Sequence, residues 1–138
     1  MNVVLDTNVI VASFSRRSPH HWLFQRIFEG SLSISITTEI LLEYEEVFER
    51  MFGAVVAETV ISALPDLPNV QTMTTYFSWQ LVSMDADDNK FVDCAIASGA
   101  TALVTEDNHI LSLKNLPFPP LNILTIAEFS QMLLSESK

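Results

Sequence analysis

The chain opens with a short apolar run, Val3-Val4-Leu5, that passes directly into the polar residues Asp6-Thr7-Asn8. Because the run does not alternate between apolar and polar residues, it is typical of a strand buried on both faces, as in a parallel sheet covered by helices. Such a strand places Asp6 at its carboxyl end, which is the edge where open α/β sheets bind ligands. The opening residues therefore predict an α/β fold with a functional side chain at the end of its first strand.

The remainder of the chain alternates between strand and helix patterns. Residues 33–36 predict a second strand, less buried than the first, and residues 69–82 contain a third, over 70–73 or 76–82. Later strands are predicted over 102–105 and 122–124, with helices between them. Ser18 is the predicted N-cap of the second helix and Thr38 of the third. This alternation predicts one domain over residues 1–138, a three-layer α/β/α sandwich around a parallel sheet of four to five strands.

Composition narrows the choice of function. The formal net charge is −10, from 17 acidic and 7 basic residues, and such a balance repels nucleic-acid backbones unless cations intervene. Since no apolar run reaches the roughly 20 residues of a membrane span, and Asp6 interrupts the first apolar segment, we expect neither a span nor a signal peptide. The lone Cys94 is expected to be a small buried residue, in keeping with a reducing cytoplasm.

Four acidic residues are expected at the carboxyl edge of the sheet. Asp6 ends the first strand, and Asp107 follows the strand over 102–105. Asp88 opens the helix that leads into that strand, and Glu43 lies one turn into the helix after the second strand. Carboxylates without a Cys or His at ligand spacing suit a hard cation such as Mg²⁺ or Mn²⁺. A cation held in this way activates water and offsets charge at a phosphodiester.

Four segments containing these acids resemble the motifs of a known family. They are Asp6-Thr7-Asn8-Val9, Ile40-Leu41-Leu42-Glu43-Tyr44-Glu45-Glu46-Val47, residues 85–95 and Ala102-Leu103-Val104-Thr105-Glu106-Asp107. In this order and over nearly the full chain, they resemble the PIN-domain family, close to the VapC-like proteins of toxin–antitoxin systems. The sequence departs from the family at Glu106, where the family often has glycine.

The resemblance implies a Mg²⁺- or Mn²⁺-dependent cytoplasmic ribonuclease that acts on single-stranded or looped RNA, with a small antitoxin as partner. It assigns metal binding and catalysis to a set of four acids, Asp6, Glu43, Asp88 and Asp107. Asn8 and Thr105 become supporting polar groups, and Asp93 a further member of the site. Apolar helix surfaces suggest a homodimer. The basic residues available to an RNA backbone form no dense patch and are Arg16, Arg17, Arg26, Lys90 and Lys114.

Residues of this chain argue against two other functions. A haloacid-dehalogenase-type phosphotransferase needs a second Asp two residues after the first, where this chain has Asn8. A phospho-receiver domain needs a Lys at a late strand end, and residues 121–125 contain none. The alternative that stays open is a catalytically weak or inactive PIN-like scaffold that acts by binding protein or RNA.

Overall fold

Five parallel strands form the centre of the protein. The computed structural model describes residues 1–82, 86–116 and 121–136. The strands are β1 (Asn2–Leu5), β2 (Ser33–Thr37), β3 (Val70–Met73), β4 (Ala102–Val104) and β5 (Ile123–Leu124), in the spatial order β3-β2-β1-β4-β5. Every pairing between neighbouring strands is parallel, which confirms the predicted class of sheet.

Helices connect the strands and cover the sheet, as predicted for an α/β/α sandwich. They are α1 (Thr7–Phe14), α2 (His21–Glu29), α3 (Thr38–Phe52), α4 (Ala54–Ala63), α5 (Asn89–Ser98), α6 (Asn108–Leu111) and α7 (Ile126–Glu136). Two short 3-10 helices lie at Leu64–Asp66 and Ala86–Asp88. Helices α3 and α5 contact β2, and α7 contacts β4 and β5. In the described part of the chain, no helix is long and apolar enough to cross a membrane.

The core lies on both faces of the central strand. Val3, Val4 and Leu5 have no exposed surface, although successive side chains of a strand point to opposite faces. The expectation that β2 is less buried than β1 is wrong, because β2 lies between β1 and β3 in the sheet. Its polar residue Ser35 is also buried, and its hydroxyl donates a hydrogen bond to Asn2 Oδ1 at 2.9 Å.

Two predicted helix caps are wrong by a small number of residues. Helix α2 begins at His21, because the Ser18 hydroxyl accepts the amide of His20 at 3.1 Å and closes a turn before the helix. Helix α3 is capped by Thr37 instead of Thr38. Thr37 has extended backbone, and its hydroxyl accepts the amide of Ile40 at 3.2 Å.

The structure also decides the position of the third strand and the burial of Cys94. The third strand is Val70–Met73, whereas residues 76–82 are irregular. Residue 85, the first residue of the third motif, lies outside the described residues. Cys94 is buried as predicted, and burial raises the pKa of its thiol to about 12.

The strand order places the carboxyl ends of β1 and β4 side by side. After β1 the chain adds β2 on one side of it, and later returns to add β4 on the other side. The amide of Asp6 donates to the carbonyl of Val104 at 3.0 Å, so the residues that follow both strands begin at the same level. A reversal of strand order of this kind is where open α/β sheets form their ligand crevice.

Candidate active site

Asp6 is held at the end of β1 by a buried hydrogen bond. Its Oδ2 accepts the hydroxyl of Thr105 at 2.8 Å, and only 5% of the residue is exposed. Its carbonyl accepts the amides of Val9 and Ile10, which start helix α1. The Asp6 carboxylate is therefore fixed in place by β1, α1 and the end of β4.

The ionised form of the Asp6 carboxyl is disfavoured by its buried position. Burial raises the pKa of the Asp6 carboxyl above its ordinary value, and the hydrogen bonds from Thr105 and from the amide of Thr7 partly oppose this effect. The neighbouring carboxylates of Asp107 and Glu43 raise the pKa of Asp6 further. The structure thus brings three of the four predicted acids within electrostatic reach of one another.

Thr105 connects Asp6 to Asp107. While its hydroxyl donates to Asp6, the same oxygen accepts the amide of Asp107 at 3.0 Å. Asp107 is the N-cap of α6, and its Oδ1 accepts the amides of His109 at 2.7 Å and Ile110 at 3.4 Å. The cap turns the side chain of Asp107 along the start of the short helix.

Asp88 and His109 complete a set of close ligand atoms with Asp107. One carboxylate oxygen of Asp88, one of Asp107 and a ring nitrogen of His109 all lie within 4.8 Å of one another. Asp88 is buried at the N-terminus of α5, and His109 is exposed. Only carboxylates were predicted as ligands, so the proximity of His109 to two acids was missed. The available signal was the Asp107 cap itself, which places residue 109 in the first turn beside it.

Glu43 reaches the same region from helix α3, with both of its carboxylate oxygens in contact with neighbouring side chains. The hydroxyl of Thr7 donates to Oε2, and the ammonium nitrogen of Lys90 lies 2.7 Å from Oε1. Asp6, Glu43, Asp88 and Asp107 are called the acidic cluster below.

The two remaining predicted site residues lie outside these contacts. Asn8 is exposed in the first turn of α1. Asp93 is buried on α5, where its Oδ1 accepts the amide of Trp79 at 3.0 Å. Burial raises the pKa of the Asp93 carboxyl, and the charge of Glu39 adds to this effect. Asp93 therefore anchors the irregular segment over 74–82 to helix α5.

A groove lies beside the acidic cluster. Its volume is about 740 Å³, and its lining includes Glu39, Tyr76, Lys90 and Asp93. Because Lys90 lines the groove and also contacts Glu43, the groove adjoins the cluster at this residue.

Comparisons with known proteins identify the family and the fold of the chain. The family model for the PIN domain matches residues 2–109, a range that contains β1 to β4 and the whole acidic cluster. No curated protein matches the sequence.

Solved structures share the fold at low sequence identity. The crystal structure of VapBC2 from Rickettsia felis, bound to a DNA fragment from its promoter, matches with a TM-score of 0.63 and 16% identity, over 91% of this chain and 98% of that one. VapC20 from Mycobacterium tuberculosis, described as a toxin that cleaves the sarcin–ricin loop, matches with a TM-score of 0.61 and 11% identity, over 81% of this chain and 95% of that one. With the family match extending over most of its length, the chain belongs to the PIN-domain family.

Proposed function

We propose that this protein is a metal-dependent endoribonuclease that hydrolyses RNA phosphodiester bonds, and that it is the toxin of a toxin–antitoxin pair. The observation that carries the proposal is the convergence of Asp88, Asp107 and a His109 nitrogen within 4.8 Å, beside the buried Asp6. VapC20, which is similar in fold, is described as a loop-cleaving toxin. Single-stranded or looped RNA is accordingly the proposed substrate.

The donor set fits a divalent cation. Carboxylate oxygens are the ligands that Mg²⁺ and Mn²⁺ prefer, and an imidazole nitrogen is compatible with Mn²⁺. Burial is the main cause of the raised pKa of Asp6, and the carboxylates of Asp107 and Glu43 add to it, so a cation bound beside them would favour the charged form of Asp6. Asp88 and Asp107 are the residues that would hold the ion, with Asp6 next to them. When bound, a divalent cation supplies activation of water and neutralisation of phosphate charge.

Hydrogen bonds within the chain orient two carboxylates of the acidic cluster. Thr105 orients the Asp6 carboxylate by donating to Oδ2, while the helix cap directs Oδ1 of Asp107 toward the backbone of α6. Fixed carboxylates of this kind need little rearrangement when charge develops on a phosphate, which is the advantage of a preorganised site. Asn8 is proposed to support the site from its exposed position on α1.

Partners of the protein are proposed from its surface. Leu42 and Met51 on α3, and Val55 on α4, are 59%, 59% and 80% exposed. Apolar side chains this exposed, on neighbouring helices, are typical of surfaces that bind another protein. A small antitoxin or a second copy of this chain would bury them, and a cytoplasmic location is consistent with the reduced Cys94.

The direct test is cleavage of a pool of structured and unstructured RNAs with Mn²⁺, Mg²⁺ or EDTA. The variants are Asp6→Asn and Asp107→Asn, with Glu46→Gln as the control because Glu46 is exposed on the same helix as Glu43. We expect cation-dependent cutting by the wild type and the control only. A folded wild type that cuts nothing under any condition would contradict the nuclease proposal and favour the binding scaffold.

A further inference from the structure

Lys90 introduces a positive charge at the edge of the acidic cluster. It lies in the first turn of α5, two residues after Asp88. Its ammonium nitrogen is 2.7 Å from Oε1 of Glu43 and donates to the carbonyl of Asp87, also at 2.7 Å. Only 14% of the Lys90 side chain is exposed. Two short contacts and this degree of burial hold the ammonium group in one place.

Glu43 consequently differs from the other acids of the cluster. Its two oxygens are bound by the Thr7 hydroxyl and the Lys90 ammonium, and the ammonium cancels its charge. A divalent cation gains less from a carboxylate that is already paired, and it is repelled by the adjacent ammonium group. Among the described residues, the set of close metal-binding atoms contains Asp88, Asp107 and His109, and it does not include Glu43.

We infer that Lys90 is a positioning residue that holds Glu43 outside the ligand set of the metal, so that the cation is bound on the Asp88 and Asp107 side of the cluster. This inference rests on the proposed function for the existence of a divalent-cation site. It goes beyond that function by dividing the four acids into two roles. Glu43 is paired with Lys90, which lines the groove, whereas Asp88 and Asp107 would hold the cation with Asp6 beside them.

Removing the charge of Lys90 should strengthen metal binding, whereas the loss of a residue beside a site usually weakens it. Replacing Lys90 by Met keeps the length and apolar character of the side chain but removes its charge. Glu43 then carries an uncompensated charge near the cation, and the repulsion from the ammonium is gone. Lys90→Met should therefore bind Mn²⁺ several-fold more tightly than the wild type, and the gain should depend on Glu43.

The test is Mn²⁺ affinity measured by titration calorimetry and by electron paramagnetic resonance, without RNA. We expect Lys90→Met to bind several-fold more tightly and Lys90→Arg to stay close to the wild type. The double variant Lys90→Met with Glu43→Gln should lose the gain. Glu43→Gln alone leaves the Lys90 ammonium unpaired beside the cation and should weaken the affinity by a few-fold, less than Asp88→Asn, which should weaken it by about tenfold or more.

Thermal melting provides a second measurement on the same proteins. In EDTA, Lys90→Met should melt below the wild type because Glu43 has lost its partner, and Mn²⁺ should raise its melting temperature by more than it raises that of the wild type. This pattern also shows that the variant is folded.

Failure of the inference differs from failure of the proposed function. If Lys90→Met binds Mn²⁺ no more tightly than the wild type, or if Glu43→Gln weakens binding as much as Asp88→Asn does, Glu43 is a ligand and the inference is overturned. If the wild type itself binds no Mn²⁺, both the inference and the metal-dependent function are overturned.

Discussion

The two sides of the acidic cluster are fixed by different kinds of partner. On the β4–α6 side, Asp6 and Asp107 accept hydrogen bonds from the neutral hydroxyl of Thr105 and from backbone amides. On the α3 side, Glu43 is bound by the ammonium of Lys90. Neutral donors orient a carboxylate and leave its charge in place, whereas a cation orients it and cancels the charge. The four carboxylates therefore differ in how far their charge is compensated, and we expect them to differ as metal ligands.

The largest effect is expected from the side whose charge is uncompensated. Asp107→Asn should lower RNA cleavage by about 100-fold or more, the scale on which groups that act on transition-state charge contribute. Asparagine is as good an N-cap as aspartate, so α6 should persist and the melting temperature in EDTA should change little. Cleavage rates at saturating Mn²⁺ measure the effect. A loss for Asp107→Asn no greater than that for the exposed control Glu46→Gln would remove the distinction between the two sides.

Substitutions of Thr105 should measure how much a neutral hydrogen-bond donor contributes to stability and to Mn²⁺ affinity. Thr105→Val removes the hydroxyl that joins Asp6 to the amide of Asp107 while keeping the shape of the side chain. We expect a loss of about 1–2 kcal/mol in the free energy of unfolding and a roughly tenfold weaker affinity for Mn²⁺. Urea unfolding and calorimetry measure the two quantities. Thr105→Ser keeps the hydroxyl and should stay near the wild type, so equal losses in both variants would mean that packing is responsible.

Tyr44 separates stability from metal binding. Its buried hydroxyl donates to the carbonyl of Leu5 at 2.5 Å, which ties α3 to the end of β1. Tyr44→Phe should lower the free energy of unfolding by about 1–2 kcal/mol, because the carbonyl loses its side-chain donor. Its Mn²⁺ affinity should remain within a factor of about two of the wild type, because a protein that is less stable but still folded keeps its metal ligands in place. A tenfold loss of affinity would show that the α3 side contributes to the ligand set after all.

The smallest effect concerns the charge of Asp6 in the absence of metal. Its folded-state pKa is raised above the ordinary value of 3.8, so the folded protein holds this proton more tightly than the unfolded chain does. Stability is therefore lost as pH rises from the unfolded pKa through the raised folded pKa. Asp6→Asn should melt a few degrees above the wild type at neutral pH in EDTA, and the difference should shrink in acid. A variant less stable than the wild type at neutral pH would show that the hydrogen bond from Thr105 outweighs the buried charge.

Much of this architecture could be predicted because it depends on local patterns. The unbroken apolar run before Asp6 predicted a strand buried on both faces, and the repeated strand end before Asp107 predicted a shared edge. The helix cap at Asp107 was also readable, because a carboxylate directly before a helix satisfies free backbone amides. The start of α2 was missed because the Ser18 hydroxyl can close a turn as readily as it can cap a helix.

Contacts between residues that are distant in the sequence could not be predicted from local patterns. Lys90 was identified only as a scattered basic residue, and nothing in local spacing connects it to Glu43 on α3. Asp93 lies close to Asp88 in the sequence, yet its position on α5 turns it toward Trp79 and the groove. The burial of β2 depends on its place between two other strands, which is a property of the whole sheet.

The most direct test is a crystal structure of the wild-type protein soaked in Mn²⁺, with the ion located by its anomalous scattering. We expect one main peak within bonding distance of Asp88 and Asp107, with the ion pair between Lys90 and Glu43 intact. A peak bonded to Glu43 with Lys90 displaced would contradict the division of the cluster. No peak in the wild type at this edge of the sheet would contradict the proposed metal centre itself.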